Sequence, residues 1–134
     1  MKEVALIILK KENKFLLHLR DNITTISYPD YWSPIGGQIE KDETPLTALK
    51  REIKEEISCK VYDIFFIDTV IHPKSLLCYK HIMHIFKGRV EEELKNIVLY
   101  EGKELEYFSF EEFIHLKFPE PLKRFIIANK VKFL

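Results

Sequence analysis

Three glutamates, Glu52, Glu55 and Glu56, follow Arg51 almost directly, and the glycine pair Gly36-Gly37 and two more acids, Glu40 and Glu43, stand upstream. Carboxylates placed this closely repel one another unless a cation lies between them. Hard divalent cations such as Mg²⁺ take oxygen ligands of this kind. Arg51 stands beside Glu52 and one helical turn before Glu55, where its guanidinium can fix a carboxylate through a two-pronged pair. A glycine pair offers backbone without side chains, so that a phosphate or a metal ion can approach closely. These residue types in this order point to a divalent-cation site beside backbone that a phosphate or metal can approach, the alternative being a solvated acidic helix face.

The acids need a rigid support, and the sequence supplies one. Thr44 followed by Pro45 is a helix start, a hydroxyl N-cap with proline in the first turn. Leu46, Leu49, Ile53 and Ile57 follow at helical spacing, so the helix should run to about Ile57. At about 100° per residue, Ile53 and Ile57 fall about 20° to either side of Leu46, and Leu49 about 60° to one side. Glu52, Glu55 and Glu56 occupy the adjoining arc of about 100°. The carboxylates therefore converge on an edge of a packed helix, beside the apolar stripe.

Around this helix the chain reads as strands. Val4 to Leu9 and Phe15 to Arg20 are apolar runs separated by Lys11-Glu12-Asn13-Lys14, a hairpin pattern. Asp21 to Asp30 is polar and loop-like. Trp32 to Ile35 reads as a short strand stopping at Gly36-Gly37. Val61 to Val70 and Leu77 to Val90 are strand-rich, with a turn around His72-Pro73-Lys74-Ser75, and Leu105 to Phe108 is another strand. Ser109 and Glu112 form a capping box for a short helix from Phe110, and Leu122 to Asn129 makes a last helix. Strands, a central helix, more strands and closing helices define a mixed α/β domain.

The chain has 134 residues, which suits one domain over 1–134. Its 21 basic and 21 acidic residues cancel, whereas a general nucleic-acid binder shows a basic excess. No stretch approaches the roughly 20 apolar residues of a membrane span, and the N-terminus fits a strand and turn better than a signal peptide. Cys59 and Cys78 have no metal-site spacing and need not pair, which favours a cytoplasmic protein with free thiols. His81 and His84 are an odd number apart, on opposite faces of a strand.

The stretch from Gly37 to Cys59 resembles the Nudix box, G-x5-E-x7-R-E-U-x-E-E-x-G-U with U a bulky aliphatic residue. Gly37, Glu43, Arg51-Glu52, Ile53 and Glu55-Glu56 match in register, with Cys59 at the last U; Gly36 and Glu40 match the family's flanking preferences. One position departs: Ser58 stands where the family has glycine. That glycine ends the helix, usually in a left-handed conformation, which would cost serine roughly 1 kcal/mol unless the helix ends differently.

The resemblance implies an α/β/α sandwich with a mixed sheet and the catalytic helix after the Gly-Gly loop. It implies Mg²⁺-dependent hydrolysis, with Mn²⁺ as a substitute, of a nucleoside diphosphate linked to another group. Glu52 and Glu56 become the main metal ligands and Glu55 shares a second ion, with Glu40 and the Gly37 carbonyl as further ligands. Arg51 and Glu43 orient the others. The general base is Glu52 or an acid of Glu101-Gly102-Lys103-Glu104-Leu105-Glu106, where Glu106, just before Tyr107, matches the mutator-type branch. Tyr28, Tyr31 and Trp32 either stack on a nucleobase or pack among themselves, and Gly36 and Gly37 approach the substrate. The favoured substrate is a nucleoside triphosphate, plain or oxidised. A nucleotide sugar or dinucleoside polyphosphate is the alternative, handled by a monomer or homodimer. A non-catalytic nucleotide-binding module and an isoprenyl-diphosphate isomerase are the competing classes. Intact box acids argue against the first, and the want of a clear catalytic cysteine and metal histidines against the second.

Overall fold

In the computed structural model, which describes residues 1–134, the first strand seeds both layers of the core. β1 (Lys2–Lys11) sends Ala5, Ile7 and Leu9 to one face and Val4 and Ile8 to the other, the two-residue period of a strand. β7 (His81–Arg89) runs parallel to it from Lys2↔His81 to Lys10↔Arg89. β6 (Tyr62–His72) pairs antiparallel with β7 at the sheet edge.

On its other side β1 divides between two partners. Its C-terminal end pairs with β2 (Lys14–Leu19) in a hairpin, and its N-terminal half pairs with β4 (Ile35–Gln38). β2 then turns to β3 (Trp32–Ser33) and β9 (Glu104–Ser109). Beside β4 a cleft opens against β1, the start of β7 and the loop that follows β2. Gly36 and Gly37 lie inside β4, opposite Leu6 and Ala5; the expected strand does not stop there but is interrupted earlier, at Pro34. Gly36 has φ +145, and a side chain on it would drive into the β1 backbone at Ala5 and Leu6. Only glycine lets the two strands meet at this point.

α1 (Pro45–Glu56) covers the Ala5 face with Ala48, Leu49 and Ile53, and Ile57 follows directly after it. Thr44 caps it reciprocally: its hydroxyl accepts from the Thr47 N–H while the Thr47 hydroxyl accepts from the Thr44 N–H. Leu46, expected in the apolar stripe, is 39% exposed, and the small, fully buried Ala48 takes its place against the sheet. α2 (Phe110–Phe113), α3 (Glu120–Ala128) and α4 (Lys130–Phe133) cover the opposite face through Phe113, Leu122, Ile126 and Phe133. The result is an α/β/α sandwich around a mixed sheet, with the expected Ser109–Glu112 capping box in place. No helix is long and apolar enough to cross a membrane.

The end of α1 corrects the expectation for Ser58. Ile57 is extended at the C-cap, and Ile57–Ser58 forms β5, paired with β8 (Val98–Leu99). Ser58 has no positive φ, and its hydroxyl accepts a 2.9 Å hydrogen bond from the Val98 N–H. Ser58→Gly therefore removes a hydrogen bond and loosens a strand, instead of relieving strain. We expect it to lower stability by about 1–2 kcal/mol, seen as a fall in melting temperature; a rise would show that a left-handed conformation is wanted here.

Candidate active site

Arg51 is the hub of the acidic cluster. Its Nε and Nη2 donate to Glu43 Oε2 and Oε1 at 2.7 and 2.9 Å, a two-pronged pair. Nη1 donates to Glu52 Oε1 at 2.9 Å and Glu55 Oε2 at 3.2 Å, and Nη2 also donates to the Gln38 carbonyl at 3.0 Å. Glu40 stands 3.7 Å from Nη1, largely exposed. Glu43 in turn accepts from the Glu40 N–H at 2.8 Å. Hydrogen bonding from Arg51, helped by that backbone N–H, holds the Glu43 carboxyl at about 2. Glu43 is thus a fixed anion that positions Arg51, and Arg51 positions Glu52 and Glu55.

The two acids nearest the sheet, Glu52 and Glu56, are both shifted the other way from Glu43. Glu56 is only 4% exposed and accepts a 2.8 Å hydrogen bond from the Gly36 N–H. Burial pushes its carboxyl up to about 8, and the charges of Glu52 and Glu101 add to the rise while the Gly36 bond and Arg20 oppose it. Glu52 is also raised by burial, against the pull of Arg51. Its carboxylate packs onto Gly37, where a side-chain carbon would come within 2.7 Å of it. Gly37 is needed for this close approach, not for an unusual backbone conformation.

The raised Glu56 carboxyl sets a pH dependence. An acid whose folded value lies above its unfolded one binds a proton in the native state that the unfolded chain has lost, so stability falls as pH rises from about 4.5 towards 8. The lowered His18 and His81 act in the opposite sense, but below pH 6.5. Metal-free protein should therefore melt at a lower temperature at pH 8 than at pH 6.5. The difference should shrink in Glu56→Gln; an unchanged difference would place the titrating group elsewhere.

Of the three acids offered by the segment before Phe108, the structure brings Glu101 to the cluster and not Glu106. Leu105 and Tyr107 pack on the α1 face of the sheet and Phe108 on the other, so alternation turns Glu106 to the far face. Its partner across the ladder, Leu17, is in the far-face core, and its carboxylate accepts from the Tyr107 N–H. Glu101 precedes β9 in a loop pinned on both sides. The Tyr100 N–H donates to the Glu56 carbonyl at 2.7 Å and the Lys103 N–H to the Leu19 carbonyl at 2.9 Å. The charge of Glu101 reaches both Glu52 and Glu56.

The cleft beside β4 has a volume of about 200 Å³, and Arg20, Tyr28, Gly36, Gly37, His72 and His81 line it. Arg20, at the end of β2, is held by a 2.7 Å bond from its Nε to the Ser27 carbonyl. Tyr28 and Tyr79 are the tyrosines of this cleft. Tyr31 packs on Tyr28 at 5.1 Å, lies under the Lys117 ammonium and faces a neighbouring groove. Trp32 packs edge-on against Phe108 at 4.7 Å and lines neither hollow. Arg20 is a cleft-lining residue that sequence reading passed over; its only signal was a lone charge closing an apolar run.

An acid cluster on a capped helix, facing a mixed sheet through a glycine pair, offers the oxygen donors that a hard divalent cation takes. The NUDIX domain family matches residues 1–128: the chain belongs to the Nudix family and is a Nudix hydrolase. The MutT protein of Methanosarcina mazei Go1 superposes with a TM-score of 0.79 at 22% identity, over 98% of this chain and 94% of that one. A Nudix hydrolase of Nitrosomonas europaea gives 0.76 at 14% identity, over 98% and 88%. The Escherichia coli ORF135 protein gives 0.66 at 26%, over 97% and 91%. A curated relative, the 8-oxo-dGTP diphosphatase of Proteus vulgaris, is 45% identical over 42 residues, which span 31% of this chain and 38% of the relative. Nudix enzymes generally work with divalent cations on small phosphate-linked substrates.

Proposed function

We propose that this enzyme hydrolyses a nucleoside triphosphate, plain or oxidised, to the monophosphate and pyrophosphate, with Mg²⁺ as its ion and Mn²⁺ able to replace it. One observation carries this reading: the two glycines are shared between cleft and acids. Gly36 donates to Glu56 and Gly37 receives Glu52, and both line the cleft. A nucleotide with its base in the cleft then has its phosphates beside the carboxylates. The match to the 8-oxo-dGTP diphosphatase supports the choice of a triphosphate. The unit is a single domain over 1–134, cytoplasmic, monomeric or homodimeric, with no nucleic-acid polymer or membrane as partner.

The donor set fits a hard divalent cation. All of its atoms are oxygens, and a buried Glu56 carboxyl raised to about 8 is an acid that a neighbouring positive ion would ionise. Glu52 and Glu56 are the principal ligands, Glu55 joins them on the exposed side, and Glu40 and the Gly37 carbonyl complete the set. When bound, the ion neutralises phosphate charge and supplies an activated water. Arg51, locked by Glu43, holds Glu52 and Glu55 in fixed orientations, as outer-shell groups do. Arg20 meets the phosphates and Tyr28 stacks on the base. Glu101 accepts the proton of the attacking water, with Glu52 as the other group in position to do so. Incubation with a panel of nucleotides and Mg²⁺ or Mn²⁺, with products identified by mass, tests the reading. Monophosphate from a triphosphate is expected; no turnover of any nucleotide would leave a binding module.

A further inference from the structure

Chemistry of another kind is assembled on the wall of the same cleft. His72 ends β6 and His81 begins β7, and the strand register sets them opposite each other. Their rings stack at 4.7 Å with 16° between planes. Cys78, from the connecting loop, places its Sγ 3.6 Å from His81 Nδ1. One ligand atom from each residue lies within 4.8 Å of the other two, and all three residues are buried. We propose that His72, Cys78 and His81 form a second metal site, for a borderline cation of the Zn²⁺ class, and that an ion seated there closes the cleft to nucleotide. The closing effect rests on the function proposed above; the site itself does not.

Two imidazoles and a thiolate are the donors that such cations select over Mg²⁺, which prefers oxygen. The fourth position stays open, as in three-ligand zinc sites. Zinc–sulfur and zinc–nitrogen bonds of about 2.3 and 2.05 Å at a tetrahedral angle put the two ligand atoms about 3.5 Å apart, close to the separation between Cys78 and His81. His72 already has the required tautomer. Its Nδ1 donates to the Pro73 carbonyl at 2.6 Å, so Nε2 carries the free pair that now accepts from the Tyr28 hydroxyl at 2.5 Å. A histidine anchored by one nitrogen to a backbone carbonyl, with the other free, is how ligating imidazoles are oriented.

Binding asks for three local changes. The Tyr28 hydroxyl withdraws from Nε2. His81, whose Nδ1 now donates to the Tyr79 carbonyl at 2.9 Å, moves its proton to Nε2 and tilts out of the stack so that the lone pairs converge. Cys78 loses its thiol proton, so one proton is released per ion bound. No electron is transferred.

The test uses chelator-treated protein carrying Cys59→Ser, so that Cys78 is the sole thiol. Titration with Co²⁺ in excess Mg²⁺, which occupies the carboxylate site, should give a thiolate-to-cobalt charge-transfer band and the visible bands of four-coordinate cobalt, saturating at one ion per chain. Zn²⁺ should displace it and excess Mg²⁺ should not. Adding Cys78→Ser should remove the band, and His81→Ala should weaken binding by more than about 100-fold, beyond the loss from an outer-shell contact. If His81→Ala does not fold, alkylation decides: Zn²⁺ should slow iodoacetamide labelling of Cys78 and Mg²⁺ should not. No charge-transfer band, a band that survives Cys78→Ser, or labelling unaffected by Zn²⁺ overturns the site. Inhibition of nucleotide turnover by Zn²⁺, relieved by Cys78→Ser, supports the closing of the cleft. Turnover unaffected while the thiolate signature is present refutes the closing and the placement of nucleotide in this cleft, but leaves the metal site standing.

Discussion

Glu56→Gln should lose turnover by about 10³-fold while the metal-free protein becomes more stable at pH 8. A bound cation is worth several kcal/mol of charge stabilisation in the reaction, and each 1.36 kcal/mol is tenfold in rate. Glutamine keeps the shape of the side chain, and its amide oxygen can still accept the Gly36 N–H bond, but it brings no charge to the ion. It also removes a buried acid whose ionisation the fold resists, which is the source of the gain in stability. Opposite signs for activity and stability separate this outcome from simple unfolding. Glu52→Gln should be comparably inactive, since its carboxylate sits on Gly37 and is held by Arg51. Steady-state rates, metal titrations and melting curves for both variants give the result. Near-normal turnover in both would mean that the helix is not the catalytic centre, and the proposed hydrolytic mechanism would fail with it.

Glu101→Gln should slow catalysis by roughly 10²–10⁴-fold, the usual contribution of a general base, with metal affinity nearly unchanged. Glu106→Gln should be close to silent, because its side chain lies on the far face of the sheet with Leu17. The two acids are separated by five positions in one short segment, and the fold gives them opposite surroundings. If Glu101→Gln is silent and Glu52→Gln abolishes turnover without a loss of metal affinity, the proton goes to Glu52 instead. Slow turnover in Glu106→Gln with normal stability would contradict the assigned strand phase.

The central helix was readable because several signals agreed: the Thr44–Pro45 start, the apolar period and the acids at one edge. What periodicity could not show was which acid would be buried. Glu56 differs from Glu55 because the packing of α1 on β1 and β4 turns Glu56 inward, and only the register of β4 supplies the Gly36 N–H that meets it. The glycine pair was expected as a turn ending a strand; it is strand backbone pressed against β1 and against Glu52. Glu106 was favoured for its place beside Tyr107, although Leu105 and Tyr107, alternating with Glu104 and Glu106, already carried the phase that turns it away. Ser58 was judged against a helix end that this chain does not use, since a two-residue strand pair with Val98 replaces it. The His72, Cys78 and His81 group has no motif spacing; antiparallel pairing of β6 and β7 creates it.

The most direct test of the central claim is to follow one nucleoside triphosphate in ¹⁸O-labelled water with Mg²⁺ and to identify both products by mass. The account predicts monophosphate and intact pyrophosphate, one ¹⁸O incorporated per turnover, and no reaction in excess chelator or with Glu56→Gln. Release of orthophosphate and a diphosphate, or full activity in chelator, would contradict it.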